Sequence, residues 1–73
     1  MICIIGGIKF KIDNESKQQI LYDHALKFYT EVFCHKSKGK PLEIYFQPNG
    51  DEIRIVMTDK GYSCHYKTKE ELQ

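Results

Sequence analysis

ESKQQILYDHALKFYTEVFCHKSK, residues 15–38, is the one run in this chain long and periodic enough to form a substantial helix. At 3.6 residues per turn, Leu21, Ala25, Phe28 and Val32 make a stripe, widened by Tyr22, Leu26, Tyr29 and Phe33. Asp23, Lys27, Glu31 and Cys34 fall opposite. An apolar side that broad needs a sheet face to cover it. Ahead of the run, Asp13, Asn14 and Ser16 offer capping oxygens, and Ser16 with Gln19 has capping-box spacing. Behind it, Lys36 and Lys38 suit the negative helix pole, Gly39 suits a left-handed cap, and Pro41 stops continuation.

The flanking segments supply the sheet. Ile2 to Ile5 and Ile8 to Ile12 are apolar runs separated by Gly6-Gly7, which suits a tight hairpin turn. Ile8, Phe10 and Ile12 alternate with Lys9 and Lys11, the pattern of a half-buried strand. Leu42 to Phe46 resumes alternation, and Pro48-Asn49-Gly50-Asp51 reads as a turn. Ile53, Ile55 and Met57 form the inward set of the next strand. After the turn Asp59-Lys60-Gly61, Tyr62, Cys64 and Tyr66 alternate with Ser63, His65 and Lys67. Thr68 to Gln73 opens like a capping box but is too short to hold a helix alone, and reads as a frayed tail.

The expected fold is therefore α+β: a two-layer ββαβββ domain spanning residues 1–73. One mainly antiparallel sheet of four or five strands carries a single long helix, about residues 15–38, on one face. Apolar alternation places Ile2, Ile4, Phe10, Ile12, Leu42, Ile44, Phe46, Ile53, Ile55 and Met57 against Leu21, Phe28 and Val32. The strand order is left open, a parallel pairing of an early strand with a later one included.

A chain of 73 residues buries only about 60% of the surface its unfolded form exposes, which favours a shallow surface or subunit interface over a deep active site. Eleven Lys and Arg against ten Asp and Glu give no global field for nucleic acid or membrane. Three widely spaced cysteines, Cys3, Cys34 and Cys64, fit a reduced compartment better than a disulfide scaffold. The opening Met-Ile-Cys-Ile-Ile run reads as a strand and not as a signal peptide, and no run approaches transmembrane length. A cytoplasmic protein is the expectation.

With the apolar alternates turned to the helix, the outer sheet face carries Lys9, Lys11, Glu43, Tyr45, Arg54, Val56, Ser63, His65 and Lys67. Cations with an aromatic resemble a single-strand-binding face, although such faces usually offer two or three aromatics, and plain solvation gives the same composition. Cys34-His35 and Cys64-His65 resemble a zinc set only in composition, since neighbours on a strand point to opposite faces. Cysteine nucleophile chemistry requires an electropositive setting, and Cys34 lies at the wrong helix pole for one. His24, Glu31 and His35 on the helix rim have no third group to complete a catalytic set. Lys36-Ser37-Lys38-Gly39-Lys40 follows a helix, whereas a phosphate loop precedes one. Cys3, Ile5, Tyr45 and Val56, all expected on the side away from the helix, leave an apolar surplus that suits a homodimer or protein partner.

These readings converge on a small non-enzymatic binding protein without a cofactor or metal: an inhibitor, adaptor or regulator. Its size and architecture match small inhibitors encoded by phages and mobile elements. Tyr45 and Arg54 are expected at the centre of the contact surface, with Val56 beside them. The alternative is a nucleic-acid or nucleotide binder that uses Lys9, Lys11, Arg54, His65 and Lys67.

Overall fold

The structure, a computed structural model, describes residues 1–33 and 41–72. Five strands form one sheet: β1 (Ile2–Ile5), β2 (Ile8–Ile12), β3 (Leu42–Phe46), β4 (Glu52–Thr58) and β5 (Gly61–Lys67). Their order is β1-β2-β5-β4-β3, and every neighbouring pair is antiparallel except β2 with β5. The single α-helix among the described residues, α1 (Gln18–Phe28), packs on β2, β5 and β4. The α+β architecture expected from the sequence is the one observed.

The helical run opens at one of the three caps the sequence offers, and its hydrogen-bonding pattern changes along its length. Asn14 caps the entry, its side-chain oxygen accepting the Ser16 backbone N–H at 3.1 Å and the Ser16 hydroxyl at 2.8 Å. A 3₁₀ turn, Glu15–Lys17, precedes α1, and a π-helical turn, Tyr29–Phe33, follows it. The expected continuation over 34–38, with its Gly39 cap, lies outside the described residues, as do the side chains of Val32 and Phe33.

Leu21, Ala25 and Phe28 of α1 are buried on Phe10, Ile12, Ile53, Ile55, Tyr62 and Cys64. Three rings lock this centre. Phe10 stacks on Tyr62 with centroids 5.5 Å apart, and Phe28 meets Tyr62 edge-on at 4.9 Å and Phe10 edge-on at 6.2 Å. Each such pair contributes about 0.5–1.5 kcal/mol beyond its buried area. One ring thus comes from each of β2, β5 and α1, so the cluster joins the two halves of the sheet to the helix.

The facing of both edge strands corrects the sequence reading. Ile5 pairs with Ile8 across the two-residue Gly6-Gly7 turn, so Cys3 and Ile5 share the helix side with Phe10 and Ile8. Ile2 and Ile4 accordingly face outward beside Lys11 and Lys9, with 64% and 67% of their surface exposed. On β3, Tyr45 pairs with Ile53 and Glu43 with Ile55, which turns both toward the helix. Leu42, Ile44 and Phe46 are on the outer face. The reason is turn length. The Gln47 N–H donates to the Asp51 carbonyl at 2.9 Å and the Gly50 N–H to the Gln47 carbonyl at 3.0 Å. Gln47 therefore belongs to the turn, and a shift of one residue reverses the face of every side chain on the strand.

β2 and β5 run parallel through Phe10 with Tyr62, Lys11 with Ser63 and Ile12 with Cys64. Gly61 makes their approach possible. Its φ is +145°, and a Cβ there would lie 2.2 Å from the Lys9 carbonyl oxygen. At the other end of the sheet Asp51 gathers the β3–β4 turn, β5 and the tail. It accepts the Tyr66 hydroxyl at 2.5 Å and the Lys69 N–H at 2.8 Å, while Thr68 and Glu71 bond reciprocally in a capping box.

Candidate interaction surface

Outward side chains form rows across the sheet, because paired residues share a face. One row reads Ile2, Lys11, Ser63, Val56, Leu42 and the next Ile4, Lys9, Gly61, Thr58. Further along lie His65, Arg54 and Ile44, then Lys67, Glu52 and Phe46. The face is thus cationic through its middle and apolar along both edges.

Of the nine residues expected on this face, Glu43 faces the helix and seven stand outside: Lys9, Lys11, Arg54, Val56, Ser63, His65 and Lys67. Tyr45 does not. Its ring meets His24 of α1 edge-on at 5.1 Å and carries the Lys27 ammonium 5.4 Å from its centroid. The Tyr45 hydroxyl is buried, with no hydrogen-bond partner among the described residues. Burial first, then the charges of Glu31 and Glu43, push its pKa up to about 12. A contact surface cannot be centred on this ring. Its place on the outer face is taken by Phe46, 77% exposed, which sequence alternation assigned to the core.

Two of the cations are already engaged. Arg54 pairs with Glu52, a carboxylate almost fully buried beside it on β4, and His65 Nδ1 lies 3.0 Å from Asp13 Oδ2. Lys9 and Lys11 make no ion pair among the described residues. Electrostatically, the cationic middle is therefore strongest on the β2 side, away from Phe46.

The other sequence candidates separate. Cys64 points into the core and His65 out of it, as strand alternation requires, so the pair cannot chelate one ion. Burial, and secondarily Cys3, pushes the Cys64 thiol up to about 12, the opposite of what a nucleophile needs. His24 is held by the protein itself. Its Nδ1 donates to the Ile20 carbonyl at 3.0 Å, which leaves Nε2 to accept from Gln47 at 3.4 Å. Cys34, His35 and the Lys36-Ser37-Lys38-Gly39-Lys40 run lie outside the described residues. Among the described residues, no three His, Cys, Asp or Glu side chains converge on a metal-binding point, and no helix is long and apolar enough to cross a membrane.

Leu42, Ile44, Phe46, Ile2 and Ile4 are the surface residues that alternation missed. The signal for them is present in the loops: a two-residue turn after Ile5 and a five-residue turn after Phe46 set the parity of both edge strands. Comparison with protein-family models, curated proteins and solved structures finds no match to this chain.

Proposed function

We propose that the chain is a non-enzymatic binding protein that engages another protein through the β3 side of its outer sheet face. The observation that carries this reading is Phe46, 77% exposed on a regular strand with Ile44 and Leu42 in line beside it. Val56 lies opposite Leu42 and continues the apolar strip onto β4, and Arg54 lies opposite Ile44. Aromatic and arginine side chains are the ones that most often anchor protein interfaces, and the aliphatic neighbours help exclude water around them.

Two features favour a protein over a nucleic acid. Arg54 and His65 already have carboxylate neighbours, and Tyr45, the ring expected to stack a base, is turned to the helix. The test is capture of partners from the native host by the wild-type chain, by Phe46→Ala with Ile44→Ala, and by Lys9→Ala with Lys11→Ala. The first pair removes the exposed Phe46 and the half-buried Ile44 side chains, so its fold is checked by circular dichroism, whereas loss of a buried anchor weakens a complex by about 2 kcal/mol or more, roughly thirtyfold. A protein lost by the β3 pair, retained by the lysine pair and held over a wide salt range supports the proposal. Retention of every protein by the β3 pair, or capture of nucleic acid that disappears steeply with salt, refutes it.

A further inference from the structure

A depression of about 470 Å³ opens on the outer face where β2 meets the β4–β5 turn, at the opposite side of the sheet from Phe46. We infer that it is a binding site for a small phosphomonoester, a phosphate group carried on a body no larger than a nucleoside.

Three lysines come to it from two separate elements: Lys9 and Lys11 from alternate positions of β2, and Lys60 from the turn. None of the three makes an ion pair among the described residues. Thr58 and Ser63 add hydroxyls, Ile2 supplies an apolar wall, and Asp59 is the single carboxylate in the lining. Three ammonium groups and one carboxylate leave a local charge of +2, the complement of a phosphomonoester dianion.

The concavity follows from the fold. In the row Ile4, Lys9, Gly61, Thr58 the inner member Gly61 has no side chain, and it can have none, since a Cβ would strike the Lys9 carbonyl. The volume lies within the range of small-molecule sites and far below what a polynucleotide tract covers. This site is independent of the β3 surface, so its failure leaves the proposed protein interface standing, and the reverse holds as well.

The experiment is amide-resolved NMR titration of the full chain at low ionic strength with inorganic phosphate, adenosine 5′-monophosphate and a ten-nucleotide single strand. Saturable shifts from the monophosphate, confined to residues 9–11 and 58–63, are expected, with phosphate reaching the same amides at lower affinity. Lys60→Ala weakens binding about fivefold and Lys9→Ala with Lys11→Ala more than tenfold, as for solvent-accessible charge pairs, while Arg54→Ala changes nothing. Three outcomes overturn the inference: shifts that do not saturate, affinity insensitive to Lys60→Ala, or an oligonucleotide that binds far tighter and spreads its shifts to Arg54 and Lys67.

Discussion

Gly61→Ala tests the parallel junction between β2 and β5, with Gly7→Ala as its reference. Both glycines have positive φ, +145° at Gly61 and +82° at Gly7. Backbone strain of this kind costs about 1–3 kcal/mol in an alanine at either position. Their surroundings differ sharply. A Cβ at Gly7 has nothing within 4 Å, whereas one at Gly61 lies 2.2 Å from the Lys9 carbonyl oxygen. Restoring van der Waals distance there requires β2 and β5 to part by about 1 Å, which disrupts one or two ladder hydrogen bonds worth about 1 kcal/mol each and loosens the Phe10–Tyr62 stack. Gly61→Ala should therefore cost about 2–3 kcal/mol more than Gly7→Ala, in a chain whose whole stability is about 4–11 kcal/mol. Urea unfolding followed by far-UV circular dichroism measures the difference. With a slope of about 1 kcal/mol per molar urea, the midpoints separate by about 2–3 M. Equal midpoints for the two variants would refute the parallel pairing.

Two further predictions follow from the ionisable groups. The Tyr66 hydroxyl and the Lys69 N–H, with Asn49, hold the Asp51 carboxyl below its ordinary range, so its contribution is present above the unfolded carboxylate pKa and is lost as pH falls through the folded value. Asp51→Asn should destabilise at neutral pH, and the gap to wild type should close below about pH 4; a pH-independent gap in thermal midpoint would count against this role. Cys64, fully buried with its thiol pushed up to about 12, should react with a maleimide at pH 7 only as fast as the chain unfolds, while half-buried Cys3 reacts sooner. Mass spectrometry of the labelled peptides decides it, and early labelling at Cys64 contradicts the packing.

The helix and the central strands were legible because each carries an unambiguous period. Leu21, Ala25 and Phe28 recur at helical spacing, and Phe10, Ile12, Ile53 and Ile55 at strand spacing, and all seven are buried. The edge strands misled for a physical reason. In Leu42-Glu43-Ile44-Tyr45-Phe46 the more apolar alternates face outward, because the facing of β3 is imposed by the β4 register through Gln47, and it is Tyr45 that packs on His24 and Lys27 of α1. Ile2 and Ile4 gave the same false alternation, although a two-residue turn pairs Ile5 with Ile8 and so fixes them outside. Turn length carried more information than hydrophobicity at both edges. Of the expected contact residues Tyr45, Arg54, Val56, Lys9, Lys11, His65 and Lys67, only Tyr45 was lost by this error, but Tyr45 with Arg54 was the expected centre. The lysine depression was not legible at all, since it depends on β2 and the β4–β5 turn becoming neighbours through a non-local pairing.

That pairing also orders the assembly of the chain. β3, β4 and β5 are joined by short turns and can meander together from local contacts, and β1 with β2 closes a hairpin across two glycines. The β2–β5 ladder joins positions about fifty residues apart, and closing a loop of that size costs about 3.5 kcal/mol of chain entropy before any contact repays it. By contact order, docking of the amino-terminal hairpin is thus expected to be the slow, late event, after the local β3–β4–β5 meander. Until it happens, Phe10, Tyr62 and Phe28 belong to three separate pieces of chain. The native centre is expected to close only as the hairpin arrives, since it needs a ring from each piece.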